Sequence, residues 1–315
     1  MRGAMNNGTA AGRFAALVEY VRSGPPVPAA VVDAHDEHVL AAALEARDAG
    51  LLDPLLVGPR APVEALCERR GVAVPPLVES APGKPAAETA VQLVEEGRVA
   101  LLVKGWVHTD VLMHPVLAHL RTARRVSHVF VAGLATYHKL LLITDAVINI
   151  MPDLMTKAEI IRNAVDLAGL LGIALPKVAA LSTVEVVKPT IPSTIDAACL
   201  SKMAQRGQIG GAVVDGPLAF DNAISREAAR IKGIESEVCG DVDILLAPDL
   251  VAGNILVKDL EYLAGATLAG VVVGARVPII LTSRSDPQAA RLASAALAVR
   301  MYREWSGGAP PVERV

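Results

Sequence analysis

The segment Val277-Pro278-Ile279-Ile280-Leu281-Thr282-Ser283-Arg284-Ser285-Asp286-Pro287 sets the reading of the whole chain. Val277 to Leu281 is an apolar run of strand length. A polar stretch follows, and after Pro287 a helix-period pattern puts Leu292, Ala296 and Val299 on one stripe. Proline suits the first helical turn, and Ser or Asp just before it suits the N-cap. The order is therefore strand, tight polar turn, helix. Such a turn aims free N–H groups and the positive end of a helix dipole at whatever sits above it. Arg284 adds a donor fork suited to phosphate or carboxylate, and Asp286 is either a base or a plain cap. The segment reads as an anion site with a carboxylate beside it.

Outward from that segment, strand-like and helix-like patterns alternate from Ala29 to Arg303, between a disordered start over 1–12 and a loose tail over 306–315. Short strands are expected at Leu55 to Val57, Val99 to Val103 and Ala212 to Asp215. Thr156-Lys157-Ala158-Glu159 reads as a capping box opening a helix to about Leu171. A single helix is expected from Ile224 to Lys232, and one from Asn254 to Ala264. This alternation implies an α/β protein with largely parallel strands and helices on both faces. A composition of 52% hydrophobic but only 3% aromatic residues agrees, since such a core is built from Ala, Val, Leu and Ile.

In folds of this class, ligands sit at the carboxyl ends of strands. That rule selects Lys104–Asp110, Thr144–Asn149, Asp215–Asn222, Pro248–Asn254 and Thr282–Asp286, which are also the polar islands of an apolar chain. The agreement marks an active cleft. Each island also has a plain structural reading. Asp145 can simply turn the chain, Asp215-Gly216-Pro217 is first a turn signal, and Asn254 after Gly253 reads as an N-cap.

Several classes are excluded. The net charge of -3, with scattered Lys and Arg, gives no nucleic-acid or membrane-surface footprint. No apolar stretch reaches membrane-spanning length and no signal peptide is read, so a cytoplasmic protein is expected. Cys67, Cys199 and Cys239 fit no metal spacing and read as small buried hydrophobes. No H-E-x-x-H zinc pattern, P-loop or G-x-S-x-G elbow occurs, and Gly207-Gln208-Ile209-Gly210-Gly211 precedes a strand instead of following one, which leaves NAD binding little support.

Taken together, the islands resemble the phosphate acetyltransferase and phosphate butyryltransferase family. The resemblance rests on Leu102-Val103-Lys104-Gly105 with His108-Thr109-Asp110, Arg125-Val126-Ser127-His128-Val129-Phe130, Ile143-Thr144-Asp145-Ala146-Val147-Ile148-Asn149 and Pro192-Ser193-Thr194. It continues with Asp215 through Ala223, Pro248-Asp249-Leu250, Ala252-Gly253-Asn254 and Pro278 through Asp286, so that it spans roughly residues 30–303.

The resemblance implies reversible transfer of an acetyl or butyryl group between CoA and phosphate. It implies two α/β domains with a cleft between them, similar to isocitrate and isopropylmalate dehydrogenases. One would be discontinuous, over 1–142 and 275–315, and the other would cover 143–274. Ser283, Arg284 and Asp286 are then the catalytic residues. Lys104, His108, Thr109, His114, Arg125, Asp145, Asn149, Asp215, Asn254 and Ser285 are the substrate-binding set for phosphate and CoA. No metal and no bound cofactor are expected; CoA and acyl-CoA enter as substrates, and the partner is a second copy in a homodimer. Some relatives carry a phosphate-contacting Arg in the helix where this chain has Leu112-Met113-His114. Either His114 takes that role, or Arg125 and Lys104 hold the phosphate, or the substrate differs. Two other readings stand beside the acyltransferase: an NAD- and metal-dependent 2-hydroxyacid dehydrogenase of the same fold, and a non-catalytic acyl-CoA-binding relative.

Overall fold

The computed structural model of the chain describes residues 10–80, 83–281 and 286–306. Ser283, Arg284 and Ser285 lie outside the described residues. In chain order the elements are α1 (Ala10–Arg22), β1 (Val27–Val32), α2 (Glu37–Asp48), β2 (Leu52–Gly58), α3 (Arg60–Arg70), β3 (Leu77–Glu79), α4 (Ala86–Glu95), β4 (Leu101–Lys104) and α5 (Thr109–His119). Next come β5 (Ser127–Gly133), β6 (Leu141–Thr144), α6 (Leu154–Leu170), β7 (Lys177–Leu181), α7 (Pro192–Gln205), β8 (Val213–Leu218), α8 (Phe220–Ile224), α9 (Arg226–Ile231) and β9 (Ile244–Leu246). The chain ends with α10 (Leu250–Tyr262), β10 (Thr267–Val273), β11 (Ile279–Ile280) and α11 (Gln288–Ser306). The α/β class is borne out. The start expected to be disordered over 1–12 is helical from Ala10.

The chain forms two compact units. One gathers Arg125–Leu268, with the segment before Phe14, and the other gathers Phe14–Arg124 with the chain from Ala269 onward. In the second unit the strand order is β3-β2-β1-β4-β11-β10. All these neighbours are parallel except β10 and β11, whose pairing Val271↔Ile280 is antiparallel. From β1 the chain winds outward to β2 and β3, then returns to place β4 on the other side of β1. The topological switch point, where ligands bind in open α/β sheets, therefore lies between β1 and β4. Val31, Leu40, Ala43, Leu56, Val63, Leu66 and Cys67 fill one side of this sheet, a core of aliphatic and small side chains as the composition required.

In the first unit the order is β5-β6-β9-β7-β8, with only β5 and β6 antiparallel. Four local readings are corrected here. Asp215-Gly216-Pro217 is no turn but the middle of β8, with a cis Gly216–Pro217 bond and a register shift against β7. Proline is tolerated because β8 is the last strand in the order and needs no N–H there. The capping-box reading at Thr156 fails because Asp153 is the cap, accepting the Thr156 N–H at 2.8 Å, so α6 starts before Thr156. Asn254 lies inside α10, whose cap is Asp249, accepting from Ala252 N at 2.9 Å. The single helix expected over Ile224–Lys232 is broken in two, because the Ser225 hydroxyl caps α9. Cys67 and Cys239 are buried as expected, whereas Cys199 is only half-buried.

Candidate active site

In the second unit three strand ends stand level. Val32 at the end of β1 pairs with Lys104 at the end of β4, and Ile280 at the end of β11 pairs with Val103. Leu281, Lys104 and Asp33 are therefore the residues at or just past one sheet edge, with β4 in the middle. Adjacent strands are roughly 4.8 Å apart, so the ends of β1 and β11 lie on the order of 10 Å from one another. Leu281 is the last described residue before the Ser283-Arg284 segment of the sequence, and Asp286 is the first after it. The half-buried Asp286 offers its backbone carbonyl to Arg291 Nη1 at 2.6 Å, while Arg291 also grips Glu45 of α2 through two nitrogens at 2.7–3.0 Å. Two amides, Ala290 N and Arg291 N, bond to the Pro287 carbonyl, so α11 begins where the sequence placed it.

The turn after β4 is held by a close backbone approach. A Cβ on Gly105 would sit 2.0 Å from the Val32 carbonyl oxygen, so only glycine fits. The Trp106 N–H donates to the Asp33 carbonyl at 3.0 Å, and the exposed His108 stands at the N-terminus of α5 just before Thr109. Lys104, His108 and Thr109 are thus gathered at the switch point by one strand–turn–helix connection. His114 is elsewhere. It lies further along α5 in a groove of about 360 Å³ shared with Lys84, Glu88, Gln92 and Glu95 of the α4 side.

One pair in this unit escaped the reading of the sequence. Asp33, directly after β1, has a left-handed backbone, φ 60°, and its Oδ1 lies 2.7 Å from His35 Nδ1. A short Asp-x-His spacing at a strand end was the available signal, but a strand-to-helix connection rich in polar residues hid it.

In the first unit, Arg125, Asp145, Asn149 and Asn254 are brought together. Asp145 follows β6 and is buried. Its Oδ1 accepts Val147 N at 2.8 Å and Ile148 N at 3.0 Å; its Oδ2 accepts His128 N at 3.2 Å and the Asn149 amide nitrogen at 2.7 Å. Burial pushes this carboxyl up from its ordinary value, and the donors to both oxygens oppose that shift. Asn149 passes the network on. Its Oδ1 accepts Arg125 Nε at 3.0 Å, and its Nδ2 also reaches the Val126 carbonyl at 3.0 Å. Gly253 lets α10 approach closely, since a Cβ there would meet the Asp145 carbonyl oxygen at 2.7 Å. Asn254, next along, then donates to the Ala146 carbonyl at 3.3 Å. Asp215, inside β8, accepts from Gly216 N and joins none of these bonds.

Among the described residues no group of His, Cys, Asp and Glu is placed to hold a metal ion. No described helix is long and apolar enough to cross a membrane.

The comparisons with known proteins give the family. The family model described as "Phosphate acetyl/butaryl transferase" matches residues 83–299. The chain is 50% identical over 291 residues to a phosphate acetyltransferase of Rhizobium meliloti, covering 91% of this chain and 92% of the relative. It is 41% identical over 290 residues to a phosphate butyryltransferase of Clostridium acetobutylicum, covering 90% and 96%. Among solved structures, a branched-chain phosphotransacylase from Enterococcus faecalis V583 superposes with a TM-score of 0.76 at 30% identity, covering 88% of this chain and 99% of that one. The dehydrogenase and the non-catalytic binding readings are not favoured by these likenesses. The chain belongs to the phosphate acetyl/butyryl transferase family and is a phosphate acyltransferase.

Proposed function

We propose that the protein transfers a short acyl group, acetyl or butyryl, between CoA and phosphate by direct attack of the CoA thiolate on acyl phosphate. The observation that supports this reading is the level alignment of the ends of β1, β4 and β11, with Lys104 level with Leu281, two residues before Ser283 in the sequence. Lys104 holds the phosphate from the sheet edge, with His108, Thr109 and Ser285 around it. Ser283 and Arg284 donate to the developing oxyanion and the phosphoryl oxygens; removing one such donor typically costs about 10²–10³-fold in rate. Asp286 is the carboxylate that takes the thiol proton. A thiol at its ordinary pKa is only about 3% ionised at neutral pH, so a base matters. In this reading the phosphate role goes to Lys104 and not to His114, whose groove holds Glu88 and Glu95 beside Lys84.

Arg125, Asp145, Asn149, Asp215 and Asn254 are the remaining substrate-binding residues, for phosphate or CoA, in this reading. Support comes from the network that fixes Arg125 through Asn149. We assign the two compact units to two α/β domains of the dehydrogenase-like kind, the discontinuous one carrying Ser283, Arg284 and Asp286. The enzyme works in the cytoplasm as a homodimer with no resident cofactor. The exposed Ile150, Met151 and Val251 support the dimer: the Leu250 N–H donates to the Ile150 carbonyl at 3.0 Å, which makes them one apolar patch.

The test is a thiol-release assay with acetyl-, propionyl- and butyryl-CoA plus phosphate on wild-type, Ser283→Ala and Arg284→Ala protein. A fall of about 10²-fold or more in kcat for the variants supports the assignment. Trapping of an acylated Ser283, or ping-pong kinetics, contradicts direct attack.

A further inference from the structure

Acyl transfer from acyl phosphate to CoA moves a proton as well as an acyl group. The thiol loses one, and the departing phosphate must gain one, because acyl phosphate is a dianion and would otherwise expel a trianion. The residues proposed above supply a base for the thiol and cations for the phosphate. Among them only His108 could carry a proton near neutral pH, and no described side chain orients its ring.

The switch point between β1 and β4 also holds an imidazole that is oriented. Imidazole is the side chain suited to carrying a proton near neutral pH. His35 Nδ1 lies 2.7 Å from Asp33 Oδ1, and a carboxylate only accepts, so Nδ1 carries hydrogen and points it at Asp33. Nε2, the other nitrogen, has no partner among the described residues and is the exchangeable site. This is the base-plus-orienter arrangement by which a carboxylate holds an imidazole in one tautomer and stabilises its cation.

The carboxylate itself is held with unusual care. Asp33 adopts φ 60°, a left-handed conformation that Asp and Asn tolerate better than most residues with a Cβ. It persists because three neighbours over-determine it. Asp33 N donates to the Val57 carbonyl at 2.7 Å, the Asp33 carbonyl accepts Trp106 N at 3.0 Å, and Gly105 leaves room for the Val32 carbonyl. A backbone fixed from three sides holds the carboxylate in one place. Both side chains are partly open, 25% for Asp33 and 32% for His35, so the pair is reachable by a substrate. The strand register then fixes which substrate. Val32 pairs with Lys104, the proposed phosphate holder, so the pair stands at the phosphate end.

We propose that His35 is a catalytic acid–base residue for the phosphate oxygen and that Asp33 is its positioning residue. Toward acyl-CoA, the sulfur–carbon bond forms as the carbon–oxygen bond to phosphate breaks. The thiol proton passes to Asp286, and the Nε2 proton passes to the departing oxygen, which leaves as hydrogen phosphate. One proton exchange with solvent restores Asp286 and His35. In the reverse direction, neutral Nε2 takes the proton of hydrogen phosphate as its oxygen attacks the thioester carbon, the carbon–sulfur bond breaks, and the departing thiolate takes the proton of Asp286.

This rests on the placement of acyl transfer at these strand ends, so the experiment includes Arg284→Ala as a marker of that placement. Full-length His35→Gln is assayed in both directions with saturating acetyl phosphate and CoA, or acetyl-CoA and phosphate. The expected result is a loss of about 10²-fold in kcat in each direction, with KM for phosphate and CoA within about threefold of wild type. In His35→Ala, free imidazole restores part of kcat, an effect no packing role would give. Asp33→Asn keeps a residue tolerant of the left-handed backbone, so it retains the wild-type melting temperature while kcat falls about tenfold. A kcat for His35→Gln within threefold of wild type overturns the proposal, as does a loss confined to KM. If Arg284→Ala is crippled while His35→Gln is unaffected, the pair alone is wrong. If both are unaffected, the site placement falls with it.

Discussion

Asn149 donates to Asp145 twice, through its backbone N–H at 3.3 Å and its side-chain amide at 2.7 Å, while its side-chain oxygen accepts from Arg125. Both donors serve one buried carboxylate, so a single side chain couples an exposed cation to the interior. Asn149→Ala removes the link and leaves the Val126 carbonyl without its donor. The expected cost is about 1–3 kcal/mol of stability, measured by urea unfolding, because the abandoned groups are buried. Asn149→Asp is worse, since it sets two carboxylates against each other. An Asn149→Ala protein with an unchanged urea midpoint would show that the network is ornamental.

Gly105→Ala forces a methyl group to within 2.0 Å of the Val32 carbonyl oxygen. Backbone has to move on β1 or β4, at a cost of about 1–3 kcal/mol by comparison with overpacked cores. Lys104 moves with it. Acyl-transfer rates should fall by more than the lost stability alone explains at temperatures well below unfolding, and equal activity in the folded variant would count against a site here.

His128 is buried with neither ring nitrogen bonded to any described residue, and burial lowers its pKa from 6.5 to about 3. The folded chain therefore refuses a proton that the unfolded chain accepts between these values. Stability from this source is complete above about pH 6.5 and is lost progressively as pH falls toward 3. His128→Phe keeps the backbone N–H that serves Asp145 but does not titrate. Its denaturation midpoint should change less between pH 7 and pH 5 than that of the wild type; identical pH slopes would show that His128 is not the source.

Met151 is 87% exposed beside Ile150 at 69%. Charge at the centre of an interface is unfavourable, so Met151→Glu should shift sedimentation from dimer to monomer without altering far-ultraviolet circular dichroism. A wild-type protein that sediments as a monomer at micromolar concentration contradicts the proposed dimer outright.

Much of the architecture was legible because aliphatic runs and helix-period stripes obey local rules. The strand at Ile279–Ile280 and the helix from Gln288 are examples: an apolar run, and a proline ahead of a helix-period stripe, each have one structural meaning. Asp215-Gly216-Pro217 misled because the same residues that make turns are allowed in an edge strand, and edge status is a property of the sheet, not of the tripeptide. Asn254 misled for the opposite reason: Asp249 had already claimed the cap, and nothing local distinguishes the two acceptors. At the site, Asp145 and Asn149 stood four residues apart in one island and were found together. Asp33 and His35 were missed because what singles them out is the backbone of β2 and the turn after β4, neither of which is near them in sequence.

The two-residue strand β11 covers the edge of β4 late in synthesis. Its partner strand β4 emerges from the ribosome about 175 residues earlier, as the register Ile279↔Leu102 requires, and all of Arg125–Leu268 is made in the interval. Until Ile279 and Ile280 arrive, β4 is an open sheet edge, the kind of surface that invites pairing with a foreign strand. A nascent chain stopped anywhere before β11 leaves β4 without its second neighbour. The interval in synthesis during which this strand edge stays uncovered is the wait for a two-residue strand.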